Sequence, residues 1–512
     1  ATTGTENTAL GTLAMGNGVT TGNSNIALGY AAGFSLTSGE QNVAIGYESM
    51  RSSTEALYNT AVGFKALYTN VDGDKNTAMG YEALKFLEPA NGDSYNSAVG
   101  YRAGLNMTTA IKNTIIGGLA GDSLTTGSAN VALGYSALST EDAHGGNTAI
   151  GYRCLEAQDA GADAYNTAVG YDAGLLITTG IQNIIIGGLA GDALTIGGGN
   201  VAIGHQALSA SVDGYFNTAV GHLALQDYED GDGNGHNTAI GASSQLNAST
   251  GEFNTSLGSI SMGGGATTGD YNVALGYKAG EYITSGTQNT IIGSFAGDAL
   301  TTGSSNVAIG YGAMSSANGT ESRNIAIGQF ALFQLNADGN NYNTAVGYAA
   351  GENITTGVQN TLIGSLAGDA MTTGSSNTAL GYSSAGAMTI GLQNVAIGHG
   401  ALSTSVDGDS NTAVGFDSLK VYEGADGAGG NTGIGKGAGV AVSTGANNTL
   451  LGHLAGDALT TGDNNIIIGY NAAASAVGVD NETVIGTTTT TNAKVHGLVK
   501  PIVRVTTALA AG

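Results

Sequence analysis

Apolar and polar positions along the chain follow one short pattern: Asn, usually Thr or Val, a small residue, a large aliphatic, then Gly. It reads NIALG at Asn25, NVAIG at Asn42, NTAVG at Asn59 and NVALG at Asn130, and runs from Asn7 to a divergent NETVIG at Asn481. Twenty-eight copies are separated by 27 intervals, eighteen of them 17 residues long and the others 16 to 20. No stretch between the first and last copies escapes the pattern, so 1–486 reads as one repeat array and 487–512 as an exit segment. A unit this short cannot fold alone and must bury its apolar side against its neighbours.

The run from Asn to Gly is β-branched and aliphatic and is bounded by turn residues, which predicts a strand. Helix is disfavoured, because 87 Gly and abundant Thr, Val and Ile are poor helix formers. A second signal, Thr-Gly-x-x-Asn (Thr126-Gly127, Thr302-Gly303, Thr461-Gly462), supplies the Gly of a tight corner. Each coil therefore reads as strand, turn, second short strand or extended stretch, turn. The fold class predicted is all-β, a parallel β-solenoid of about 28 coils. Identical Asn residues at one corner (Asn42, Asn130, Asn200, Asn306, Asn394) are expected to form a structural amide ladder and not a ligand site. Side chains alternate along a strand, so the bulky positions (Val43 and Ile45) are expected inside the coil. The Ala/Gly face (Ala44, Ala132, Ala202) is then expected outside, where close approach of identical chains around a symmetry axis would cover it. Enlarging those Ala residues should then disrupt assembly.

Composition narrows the partners. Lys and Arg total 14 against 39 Asp and Glu, a net charge of −25, which repels phosphate backbones and argues against nucleic acid. No apolar run approaches the ~20 residues that span a bilayer, so membrane insertion is not expected. The start, Ala1-Thr2-Thr3-Gly4, lacks the basic-then-apolar order of a secretion signal, so any such segment is expected to have been removed. The single Cys154 leaves the redox compartment open.

The repeats resemble the head repeats of trimeric autotransporter adhesins, and more closely the NTAxG repeats of bacteriophage tail fibres, over Asn7 to about Gly486. The resemblance implies a homotrimer, a virion or extracellular location, other virion proteins as neighbours, and attachment to a host-surface glycan or protein. Adhesin heads typically use a shorter repeat, and neither a heptad stalk nor membrane-anchoring strands are read at the C-terminal end of this sequence, so the phage fibre is the preferred expectation. The alternative is a bacterial cell-surface adhesin or extracellular filament subunit. Ice binding is weakened by Val and Ile interrupting the Thr column, as at Asn25 and Asn42.

Chemistry is sparse. There is no G-x-S-x-G elbow and no HExxH, and no carboxylate pair stands out for glycoside cleavage, so no enzyme is expected. The longest intervals (Phe86 to Tyr95, Glu156 to Tyr165, Gln226 to His236, Phe333 to Tyr342, Lys420 to Gly430) read as projecting loops, with Tyr95, Tyr165, Tyr228, Tyr342 and Tyr422 as candidate receptor contacts. Asp230, Asp232 and Asn234 match the start of a calcium loop, although the twelfth position is Gly241, so calcium is the one cofactor considered. Coils with Ala-Gly-Asp place Asp122, Asp192, Asp298, Asp369 and Asp457 equivalently, as turn caps or as rings around a threefold axis. Tyr recurs five residues after Asn (Tyr30, Tyr47, Tyr135, Tyr152) and reads as a packing ladder ahead of a sugar platform.

Overall fold

The computed structural model describes residues 3–89, 92–229, 235–317, 319–424 and 427–490. They form an all-β protein, a parallel β-solenoid of about 28 turns, with no helix among the described residues. The chain divides into two units, Ala1–Thr356 and Gly357–Gly512. In the first, three-residue strands run from Thr8–Leu10 to Thr344–Val346; in the second, from Thr361–Ile363 to Thr483–Ile485. Successive strands pair in parallel without slippage, Ala132 opposite Ala149 in the first unit and Ala379 opposite Ala396 in the second.

Among the described residues the expected second strand is reduced to a single pair, Gly73–Asp74 with Gly92–Asp93, and to isolated bridges such as Ser322 with Asn340. Elsewhere the chain turns through left-handed residues, three in a typical coil: Glu48, Met50 and Tyr58 have φ of 55°, 50° and 60°. These interrupt strand geometry, yet the backbone still bonds from coil to coil, as Tyr58 N–H to the Glu40 carbonyl at 3.1 Å. Such φ values are costly for single residues. Here bonding to the coils on either side holds them in place.

The strand's two faces are the reverse of the expectation. The small residue at its centre points inward: Ala132, Ala202 and Ala308 are 0% exposed. The bulky flanking residues point outward, leaving Leu133 41% and Ile186 37% exposed. The reason is calibre. A 17-residue coil encloses a narrow lumen, already filled by the Leu or Met eight residues after Asn and the apolar residue eleven after it (Leu67, Leu84, Met107, Leu124), so the strand can contribute only a methyl group. Where it contributes more, the neighbour shrinks. Ile115, Ile185 and Ile291 each face a Gly (Gly121, Gly191, Gly297) at which a Cβ would sit 3.1–3.2 Å from the Ile Cδ1. This exchange of volume accounts for the Ala-Gly-Asp coils.

The Gly that closes each strand has a separate cause. At Gly241 φ is +137° and a Cβ would fall 2.5 Å from the Gly258 carbonyl oxygen of the next coil. Gly241→Ala should therefore cost about 1–3 kcal/mol from φ alone, with backbone overlap added. A lowered thermal midpoint in circular dichroism would register it.

The Asn ladder is present at every sequence-predicted rung. Asn42, Asn130, Asn200, Asn306 and Asn394 are at most 1% exposed. Each backbone N–H donates to the Oδ1 of the preceding Asn, at 2.8–3.0 Å. Each Nδ2 donates to a carbonyl at the far corner of its own coil: Ala56, His144, Gly214, Glu321 and Gly408. In the last coil Glu482, and not Asn481, takes the rung, its N–H donating to Asn465 Oδ1 at 2.8 Å.

Candidate functional site

The outward wall of the strands is the most distinctive surface. Nearly every coil adds Thr, Val or Ile one residue after Asn, a larger aliphatic three after, and often an aromatic five after. In the first unit Ile116, Leu133, Ile186, Ile240 and Leu257 remain 37–48% exposed; in the second, Ile363, Leu380, Ile434 and Leu451 remain 38–43% exposed.

Beside them run ring stacks. Tyr30, Tyr47, Phe64, Tyr81 and Tyr101 follow one another at 4.9–5.4 Å between centroids with planes within 17°. In the second unit Tyr382, His399 and Phe416 do the same at 5.2 and 5.0 Å. Regular stacking is the packing ladder expected, although its outer edge is wet, with Tyr135 50% exposed.

A second stack was not anticipated. Phe216, His236, Phe253 and Tyr271, each immediately before a ladder Asn, stack at 5.0–5.1 Å. The signal for it in the sequence is the aromatic residue immediately preceding the ladder Asn in four successive coils.

That same position holds three of the candidate receptor contacts. Tyr95, Tyr165 and Tyr342 are 50%, 60% and 49% exposed. They lie on the coil wall, leaning over the coil before. Tyr165 covers Gly146, and Tyr95 Oη receives a bond from Lys75 Nζ at 3.1 Å and donates to Asp93 at 2.8 Å. Tyr342 Oη accepts from Arg323 at 2.5 Å. Tyr228 and Tyr422 do not project. Both are 0% exposed, because they occupy the inward position eleven residues after Asn and anchor the longer segments from within. Burial pushes the Tyr422 hydroxyl up to about 12. The loop tips do stand clear, since a Cβ at Gly161 or Gly339 would touch nothing within 4 Å. The calcium candidates Asp230, Asp232 and Asn234 lie outside the described residues.

The Ala-Gly-Asp carboxylates are half-buried in the turn that follows the Gly. Burial raises Asp122, Asp192 and Asp298 above the ordinary carboxylate value, with nearby backbone amides acting against it. Burial likewise raises Glu141 and Glu423. Glu82 is the counterexample, for despite burial its bonds with Lys85 and Arg102 pull it down. A carboxylate raised on folding binds its proton more tightly in the folded state. Its stabilising contribution is complete below the unfolded value near 4 and is lost as pH rises through the raised value. Thermal midpoints should therefore be higher at pH 5 than at pH 8.

Cys154 sits 0% exposed in an Ala position, and burial pushes its thiol up to about 12, leaving it inert as a nucleophile. Among the described residues no helix is long and apolar enough to cross a membrane. No family model matches the chain, and no curated protein is significantly similar to it.

Proposed function

We propose that this chain is the repeat-array subunit of a bacteriophage tail fibre, a homotrimer exposed on the virion that attaches to a glycan or protein on the host surface and performs no catalysis. The observation that carries the reading is the outward strand wall. A column whose Leu and Ile side chains are in many coils left roughly 40% exposed, in both units, is more apolar surface than a lone soluble chain ordinarily keeps. Three identical walls meeting about an axis cover one another without leaving a sticky face. The axis is thus lined by the bulky positions and not by Ala and Gly. The exposed rings beside the wall, including the Phe216–Tyr271 stack, suit contact with sugar faces, and the net charge of −25 keeps a repetitive surface soluble. A bacterial surface adhesin of the same architecture is the second reading, favoured by the same wall.

Electron micrographs of the purified full chain, together with its mass in light scattering, test the assembly. Slender particles containing three chains support it; a monodisperse 50.4 kDa particle rejects it. Labelled protein incubated with bacterial cells tests attachment. Saturable binding that soluble host glycan competes away is the expected result. Antibody labelling of virions against cell envelopes separates the fibre from the adhesin.

A further inference from the structure

The inward position eleven residues after each ladder Asn is mostly apolar, as at Leu124, Ile177 and Leu194. In the coil that begins at Asn130 it holds Glu141, 0% exposed. Its Oε1 accepts the His144 backbone N–H at 3.1 Å and faces His144 Nδ1 at 3.2 Å. Its Oε2 is enclosed with no partner in hydrogen-bonding geometry. Gln158, next in the column, gives no help: its Nε2 donates to the Thr178 carbonyl and its Oε1 accepts from Asn166. The Ala160 backbone amide also acts on the carboxylate, but no donor reaches Oε2 in hydrogen-bonding geometry, and a carboxylate oxygen enclosed without one is an unmet electrostatic demand.

Two more carboxylates converge on it. Asp142 and Asp159, one 17-residue period apart, occupy the same exposed position in successive coils. One ligand atom from each of Glu141, Asp142, His144 and Asp159 falls within 4.8 Å of the others. Among the described residues no Lys or Arg pairs with the three carboxylates, and the His144 imidazole is the basic side chain that sits beside them. The backbone holds this group in place. The His144 carbonyl accepts from the ladder residue Asn130 at 3.1 Å, the Asp142 carbonyl accepts from Thr125 Oγ1 at 2.7 Å, and Asp159 N–H donates to Thr178 at 2.9 Å.

We propose that Glu141, Asp142, His144 and Asp159 form a binding site for one divalent metal ion of the zinc or manganese class, clamping two successive coils together. Three carboxylates supply the charge, and the imidazole selects a first-row transition metal over calcium or magnesium. Four ligand atoms at 2.0–2.2 Å from a tetrahedral ion lie about 3.3–3.6 Å apart, so the widest separation must close by about an ångström, through movement of the exposed Asp142 and Asp159 side chains. An ion also gives Glu141 Oε2 its missing partner. The site is independent of the fibre reading.

The test uses the full chain, stripped with EDTA and titrated with ZnCl2 or MnCl2 in a calorimeter, with CaCl2 as the control. One ion per chain and a raised thermal midpoint are expected. Asp159→Asn and His144→Ala should each weaken binding by about 10-fold or more, while Glu55→Gln leaves it unchanged. Asp159 is exposed, so its variant is expected to retain the fold, which circular dichroism checks. Without metal, Asp159→Asn should melt no lower than the parent, because it relieves carboxylate crowding. Absence of zinc and manganese binding at millimolar concentration, calcium binding as tightly as either, or variants that bind like the parent would each overturn the site.

Discussion

A chain carrying Asn200→Ala is expected to lose roughly 2–6 kcal/mol of stability, although the substitution removes only a small polar side chain. Asn200 Oδ1 accepts the Asn217 N–H at 2.8 Å, and its Nδ2 donates to the Gly214 carbonyl at 2.7 Å. Alanine leaves both backbone groups buried and unmet, each at about 1–3 kcal/mol. In a stacked array the damage stays near its source, since stability is a sum of coil and interface contributions. Hydrogen exchange should show protection lost around Asn200 and kept around Asn42. Asn200→Asp separates the two bonds. It keeps the acceptor for Asn217 but sets a carboxylate oxygen against the Gly214 carbonyl, so its defect should ease in acid as the carboxyl acquires a proton to donate. A stability for Asn200→Ala within about 0.5 kcal/mol of the parent would mean that water or a shifted backbone replaces the rung.

Periodicity carried the architecture because every rung repeats the same demand. An Asn every 17 residues, with Gly four residues on, needs neighbours above and below, and hydrogen bonding from Asn25 to Asn42 to Asn59 meets that demand. Which face of the strand points inward was not legible from alternation. Val43 and Ile45 look like core and Ala44 like surface until the lumen's width is known, and the width depends on where Met50 and other distant positions of the coil turn in. The left-handed residues were hidden as well. Nothing in Glu48, Met50 or Tyr58 as residue types favours positive φ; the backbone bonds of the coils on either side impose it. Tyr228 and Tyr422 were misplaced because length suggested a loop, while their offset from Asn217 and Asn411, eleven residues in both cases, assigned them to the interior column. The offset was the better guide. The same arithmetic locates the metal cluster, since Asp142 and Asp159 lie one period apart, a distance that no linear ligand motif scans.

Leu133→Glu, Ile186→Glu and Ile240→Glu combined are expected to dissolve the assembly while leaving each chain folded. These side chains are 41%, 37% and 37% exposed, and each lies on the outward face of its strand beside a buried Ala or Ile. The coil-to-coil hydrogen bonds of these strands are made by backbone atoms, as from Gly134 N–H to the Ile116 carbonyl at 2.7 Å, so they survive the exchange. What changes is the wall. Three carboxylates per chain, added to a net charge of −25, must be desolvated and brought near their symmetry mates, which like-charge repulsion opposes. Light scattering should fall from three times the chain mass to the single 50.4 kDa chain, with the far-ultraviolet β signature unchanged. Ala202→Leu is the complementary variant. Ala202 is 0% exposed, and overpacking so narrow a core costs about 1–3 kcal/mol, so melting should fall before any change in mass is seen. A triple variant that remains trimeric would move the contact surface to another side of the coil, and the exposed ring stack from Phe216 to Tyr271 would be the next surface to substitute.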